Sequence, residues 1–248
     1  MKISIITVTY NSAATLEETI QSVTNQSYPD IEYIVIDGQS TDGTLEIIEK
    51  YKNKISKVIS EKDLGLYDAL NKGISLATGE VIGLLHSDDF YIHPLVIEKY
   101  ADFFLKENTD GVYSDLYYVD KINTDKIIRK WKSGTYTPGA FLNGWMPPHP
   151  TFFVKKAVYD LFGVFNLNFK SAADYELMLR FIQKHKIKLA YLPEFTVKMR
   201  TGGKSNVSLE NRVNANLEDR KAWELNGLKP RFYTLYLKPL RKILQFLK

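Results

Sequence analysis

Two stretches decide the fold: Ile3-Ser4-Ile5-Ile6-Thr7-Val8-Thr9-Tyr10-Asn11 and Val81-Ile82-Gly83-Leu84-Leu85-His86-Ser87-Asp88-Asp89. Each is a run of β-branched and apolar residues that ends abruptly in polar groups. Between them the same alternation repeats. Ile31 to Ile36 reads as a strand ending at Asp37-Gly38, and Lys57 to Ser60 as a short third one. The intervening segments carry helical periodicity, with Leu16, Ile20 and Val23 on one face and Leu45, Ile48 and Tyr51 on another. Thr15-Leu16-Glu17-Glu18 has capping-box spacing at the start of the first helix. Gly79 follows a helix over 66–77 as an expected left-handed C-cap. Strands alternating with helices imply right-handed crossovers and a mainly parallel sheet. The continuous apolar run at 81–85 suits a strand covered on both faces. Ligands of such sheets bind beyond the carboxyl ends of the strands, where Tyr10, Asn11, Asp37 and Ser87-Asp88-Asp89 fall.

Outside this region the pattern is less regular. A helix is expected over about 94–106, then strands at 112–119 and 127–131 and a Gly- and Pro-rich loop from Ser133 to Pro150. A strand at 151–154, a helix at 174–184, a strand at 188–192 and a helix over about 209–225 follow. The length of 248 residues suits one substantial domain with at most a small appendage. With no cysteine, disulfides, thiolate nucleophiles and cysteine-ligated zinc are excluded. The net charge of +4 does not call for nucleic acid. No window is long and apolar enough to cross a bilayer. Met1-Lys2-Ile3 leads straight into a strand without the features of a signal peptide, and a cytoplasmic setting fits.

Adjacent carboxylates at a buried strand end repel each other and lose hydration, and a hard divalent cation relieves both costs. Asp88-Asp89 is therefore a candidate site for Mg²⁺ or Mn²⁺, with a solvated turn as the bland alternative. Asp37 opens Gly38-Gln39-Ser40-Thr41-Asp42-Gly43-Thr44. A carboxylate there suits the imide of a base or a ribose hydroxyl, although the same letters make an ordinary turn. His149 sits in Met146-Pro147-Pro148-His149-Pro150-Thr151 and reads first as a structural residue of a proline-rich loop. The segment 228–248 alternates bulky apolar and basic residues, the composition of an interfacial membrane helix. Packing on the protein or on a second subunit explains it nearly as well, and Pro239 is expected to interrupt a single helix.

The ordered set Ile6-Thr7-Val8-Thr9-Tyr10-Asn11, Asp37 to Thr44, Asn71-Lys72-Gly73, Ala77-Thr78-Gly79-Glu80 and Leu84 to Asp89 resembles the inverting family 2 glycosyltransferases. The resemblance covers about the first 110 residues and implies a GT-A fold: a Rossmann-like α/β architecture with a mostly parallel sheet flanked by helices, an acceptor-side region and a helical tail. It implies a catalytic domain over 1–227, with a donor half at 1–110 and an acceptor half at 111–227, and a basic amphipathic tail at 228–248. It further implies a nucleotide-sugar donor, UDP-sugar first, a divalent metal, and a glycan or lipid-linked acceptor, as in bacterial surface-polysaccharide assembly. Val8 and Tyr10 line the base pocket in this reading, and Asp37 binds base or ribose. Asp89 ligates the metal with Asp88 as helper, because Ser87 stands where the family's acidic motif usually starts. Lys62, Asp63 and Asp68 reach toward the donor. Asp174, in Ala172-Ala173-Asp174-Tyr175-Glu176, is the general base, although Ala173 stands where the family often has Glu and a helix-capping role fits the same letters. Arg200-Thr201-Gly202-Gly203-Lys204-Ser205 resembles a mobile loop that closes over the donor, in which Arg200 or Lys204 neutralises the leaving diphosphate, although a solvated basic turn fits the same letters. Contact with the inner face of a membrane and a homodimer are further partners open to the chain.

The main rival is a nucleotidyltransferase, but Thr9-Tyr10-Asn11-Ser12 lacks the glycines and positive charge of its phosphate loop. A dinucleotide oxidoreductase lacks its Gly-x-Gly-x-x-Gly turn. An inactive nucleotide-sugar-binding subunit is the non-enzyme alternative, disfavoured by an intact Asp88-Asp89 with Asp174.

Overall fold

A computed structural model describes residues 1–202 and 209–245. β1 (Ile3–Thr9), β2 (Ile31–Asp37), β3 (Lys57–Ser60) and β4 (Val81–Leu84) are linked by α1 (Leu16–Thr24), α2 (Thr44–Lys50) and α3 (Leu66–Leu76). Then come β5 (Asp89–Tyr91), α4 (Val96–Glu107), β6 (Gly111–Val119), β7 (Ile127–Trp131), β8 (Phe153–Lys155) and α5 (Lys156–Phe162). α6 (Ala173–Met178) runs on into a π-helical turn, followed by β9 (Leu189–Arg200), α7 (Leu209–Leu225) and α8 (Thr234–Leu244).

One sheet carries the order β3-β2-β1-β4-β8-β6-β9-β5, with β7 on β6. The first four strands are parallel, with Thr9 opposite Asp37 and Asp37 opposite Ser60, so the carboxyl ends of β1, β2 and β3 are level, while β4 ends with Leu84 opposite Ile6. Beyond β4 the sheet turns mixed: β8 pairs antiparallel with β4 and β6, while β9 runs parallel to β6 and antiparallel to β5. β1 is buried along its whole length, as expected for a strand with helices on both faces. One core layer gathers Ile6, Ile36, Leu70 and Ile74, and the other gathers Ile5, Leu16, Val35 and Phe153.

Several local expectations are corrected. No capping box forms at Thr15, because its acids meet distant partners: Glu17 takes Lys50 and Tyr51, and Glu18 takes Arg200. Gly79 is not left-handed. It is glycine because a Cβ would stand 2.6 Å from Ser4 Oγ and 2.7 Å from Ser4 N of β1. α5 was not expected, and β9 runs well past Leu192 to Arg200. Pro239 lies inside α8, which continues through it. Its sixth position in the helix costs a single backbone bond near the start.

Candidate active site

The loop after β1 is laced to the loop after β2. Asn11 N–H donates to Ser40 Oγ at 2.8 Å, Thr41 N–H to Asn11 Oδ1 at 2.9 Å, and Ser12 N–H to Thr44 Oγ1 at 2.9 Å. Asn11 (φ 49°) and Gln39 (φ 61°) both hold left-handed backbone that non-glycine residues rarely adopt. Strain of this kind persists where surrounding bonds over-determine it. Asp37 supplies much of that determination. It is fully buried and accepts from Ser40 N–H (3.1 Å), Ser40 Oγ (2.5 Å) and Ser60 Oγ (2.7 Å), tying the ends of β2 and β3 together.

Val8 is buried beneath this surface, whereas the Tyr10 ring is 58% exposed on it. A Cβ on Gly38 would come within 3.1 Å of Asp63 Oδ2 and 3.3 Å of Tyr10 Cδ2. Tyr10, the bare Gly38 backbone and Asp63 therefore converge on one spot. Lys72 anchors the rim, at 2.6 Å from Asp63 and 2.8 Å from Glu61, and these hydrogen bonds push its ammonium pKa up. Asp68 accepts from Leu64 N–H at 3.0 Å and lies 3.6 Å from Lys72, while Lys62 is exposed. Asp63, read from the sequence with Lys62 and Asp68, is joined at this rim by Lys72, which the sequence reading does not single out as a site residue.

At the end of β4, Ser87 Oγ donates to Ser12 Oγ at 2.9 Å, joining the acidic turn to the first loop. Asp88 is half-buried. Asp89 is fully buried in β5, and neither carboxylate oxygen has a hydrogen-bond partner. Burial first, and the charge of Asp88 second, push its carboxyl well above the ordinary range, with Arg200 only partly opposing them. Two buried, unpartnered carboxylate oxygens are a donor set that suits a hard divalent cation. Among the described residues no three acids or imidazoles gather to cage one, so a cation there would draw its remaining ligands from water and phosphate.

Arg200 differs from its expected place. It ends β9 instead of lying in a loop, is 6% exposed, donates to the Asp88 carbonyl at 2.7 Å and to Glu18, and lies over the Phe90 ring. In this arrangement it clamps the acidic turn from behind. Lys204 lies outside the described residues.

The acidic turn and Asp174 meet through two imidazoles. His149 Nδ1 lies 3.5 Å from Asp174 Oδ2, and its ring is 5.1 Å from that of His86. Burial lowers the pKa of both imidazoles, His86 to about 4, and the nearby Asp88 and Asp174 only partly oppose this. Both rings are therefore neutral near pH 7. Asp174 does not cap α6: Ala172 is the N-cap residue and offers no side-chain bond. The preceding segment is held instead by Glu218 of α7, which accepts from the backbone N–H groups of Lys170, Ser171 and Ala172 at 2.8–2.9 Å. Burial alone would raise the Glu218 carboxyl, but these bonds outweigh it and bring the pKa down. Tyr67 of α3, stacked on Phe165, lies against the backbone of Ala173 and Asp174. Tyr118 of β6 lies within electrostatic reach of Asp89 and Asp174, with Arg129 3.7 Å over its ring.

His86, Arg129 and Glu218 did not stand out in the sequence. Only His86 had a local signal, its place just before Ser87-Asp88-Asp89. Arg129 and Glu218 come from elements whose register no local pattern gives.

A parallel-ended sheet with loops fused over it, an acidic turn and an aspartate facing that turn define an α/β fold of the GT-A kind. Solved structures agree on the fold. TarS of S. aureus in complex with UDP-GlcNAc superposes with a TM-score of 0.71 at 21% identity, covering 91% of this chain and 65% of that one. A mannosyltransferase from Pyrobaculum calidifontis in complex with GDP-Man and Mn²⁺ gives 0.67 at 17% identity, covering 98% and 69%. The model of glycosyl transferase family 2 matches residues 4–174, and the chain belongs to that family. A PGL/p-HBAD biosynthesis glycosyltransferase of Mycobacterium tuberculosis is 29% identical over 76% of this chain and 73% of its own length. The cholesterol galactosyltransferase of Borreliella burgdorferi is 40% identical over 47% of this chain and 33% of its own. The chain is a glycosyltransferase, and among its described residues no helix is long and apolar enough to cross a membrane.

Proposed function

We propose that this enzyme moves a sugar from a nucleotide-diphosphate donor, UDP-sugar first, to a glycan or lipid-linked acceptor in one displacement with inversion. The observation that carries the reading is the Asp88–His86–His149–Asp174 cluster, which sets a carboxylate from the acceptor half beside the acidic turn of the donor half. The complexes of TarS with UDP-GlcNAc and of the Pyrobaculum enzyme with GDP-Man and Mn²⁺ support a nucleotide-sugar donor and a metal. The name of the Borreliella relative, a cholesterol galactosyltransferase, points toward a lipidic acceptor.

The exposed Tyr10 ring offers a stacking face for the base, and Gly38 leaves the backbone open beside it. Val8 supports this floor from the core. Asp37 acts by holding the loop in its strained form, and Asp63 with Lys72, Lys62 and Asp68 forms the rim toward ribose or sugar. Asp89, with Asp88, would hold Mn²⁺ or Mg²⁺, which when bound neutralises charge on the diphosphate. Arg200 fixes the position of Asp88. Asp174 takes the proton of the acceptor hydroxyl as its oxygen bonds to the anomeric carbon. The carbon–oxygen bond to the diphosphate breaks, and its electron pair leaves with the nucleoside diphosphate. His149, whose imidazole pKa is lowered by burial, stands 3.5 Å from the Asp174 carboxylate.

Asp174→Asn keeps the shape and removes the base. Release of nucleoside diphosphate should then fall by about 10²–10⁴-fold with nucleotide affinity unchanged. Near-normal turnover would remove Asp174 from this role.

A further inference from the structure

We propose that the outer face of α8 docks onto an anionic lipid bilayer. The inference concerns where the enzyme works and does not depend on the reaction assigned above.

The first observation is charge segregation. From Leu225 to Lys248 the chain has six cations (Lys229, Arg231, Lys238, Arg241, Lys242 and Lys248) and no acid. The whole chain carries +4, so everything before this segment sums to −2. The second is that α8 has one committed face and one bare face. On the inner side Leu235 is buried, Thr234 Oγ1 donates to the Leu142 carbonyl, and Lys238 pairs with Asp219 at 2.6 Å beneath the Tyr175 ring. The α8 backbone also crosses Gly144 so closely that a Cβ there would stand 2.5 Å from Lys238 N. On the outer side Tyr236 is 67% exposed and Leu240 53%, and Phe232, in the turn just before α8, is 88% exposed. Tyr236 and Leu240, four apart, stack into one stripe along α8, and Phe232 precedes them in the chain. The side chains of Lys229 and Arg231, in the segment leading into α8, and of Arg241 within it are exposed.

An apolar, partly aromatic stripe accompanied by cations and free of acids is what an interfacial helix presents to lipid. A second copy of this chain is a poor occupant. A two-fold contact sets a patch against itself, and here that would bring cations against cations with no acid to answer them. An anionic bilayer answers the charge and takes up the apolar stripe together. The placement has a consequence for the site. The inner face of α8 rests on Tyr175, next to Asp174, so docking would set the acceptor half toward the lipid surface.

The test is sedimentation of the full chain with vesicles of phosphatidylcholine alone, and of phosphatidylcholine mixed with phosphatidylglycerol. Binding to the mixed vesicles, weakened by added salt and much weaker on neutral ones, is expected. Each of K229A, R231A and R241A should reduce it by about fivefold. The F232S/Y236S/L240S variant should reduce it by about tenfold or more. The replaced side chains are exposed, so melting temperature and nucleotide affinity should not move. No binding to the mixed vesicles would overturn the proposal, as would binding that these variants leave unchanged. A dimer seen by ultracentrifugation and lost in the triple variant would also overturn it, assigning the stripe to a second copy.

Discussion

The proposed donor half, residues 1–110, and the proposed acceptor half, residues 111–227, reach the same site by opposite means. In the donor half, short loops that directly follow parallel strands are locked by hydrogen bonds between their own side chains and backbones, as with Asn11, Ser12, Ser40 and Thr44. In the acceptor half, Asp174 is placed by groups distant in sequence: Glu218 from α7, Tyr67 from α3 and His149 from a proline-rich turn. In the proposed reading the donor site is built before ligand arrives, and Asp174, the proposed base, stands on a frame that several elements must complete. Damage to the first half should therefore appear in nucleotide affinity, and damage to the second in turnover at intact affinity.

The largest effect is expected at Asp89. Asp89→Asn should weaken Mn²⁺-dependent nucleotide binding by about 100-fold, measured calorimetrically. The same variant should stabilise the metal-free protein at neutral pH by about 1–3 kcal/mol, because it removes a buried, unpartnered carboxylate. The sign follows from the raised pKa. Protonation is easier in the folded state, so wild-type stability relative to the variant is greatest at low pH and falls as pH rises through the folded value. Thermal melts of both proteins with chelator, across pH, check this. A destabilised variant would show that the carboxylate has a partner in the fold.

Next comes Glu218→Gln. It should lower kcat by about tenfold with nucleotide affinity unchanged, since loosening the segment before Asp174 misplaces the base. Its pH signature is opposite to that of Asp89. The folded carboxyl has a lowered pKa, so its stabilisation is present above the ordinary glutamate value of about 4.3 and is lost as pH falls below it. Acid melts of wild type should therefore drop more steeply than those of the variant. A loss of nucleotide affinity in Glu218→Gln would break the division between the halves.

The smallest effect is expected at Gly38→Ala, which crowds Asp63 and Tyr10 by a few tenths of an ångström. Nucleotide affinity should fall by about two- to fivefold, with kcat at saturation unchanged.

The same division explains what could be read in the sequence. The donor half was legible because its strands are covered on both faces and the residues at their ends are neighbours in both sequence and space. The exceptions were local. Glu18 looked like a capping acid and serves Arg200 instead, and Gly79 owes its identity to close backbone packing and not to a left-handed turn. The acceptor half was less legible because its register is set across the sheet. The apolar run at 188–192 stops before Pro193, yet β9 continues. The pairing with β6 shifts between Tyr113 and Asp115, opposite Pro193, where the missing N–H costs no ladder bond. Arg200 was consequently expected in a mobile loop when it ends a strand. The local motif located Asp174, but nothing local joined it to His149, because that contact exists only once the proline-rich turn folds against α6.

The most direct test of the central claim is calorimetric titration of the folded protein with UDP, GDP and dTDP in the presence of Mn²⁺, repeated after chelation. The account predicts that UDP binds best and that chelation abolishes or strongly weakens its binding. Absence of binding by all three to demonstrably folded protein would contradict a nucleotide-sugar donor site at the Tyr10–Asp89 surface, and the proposed reaction with it.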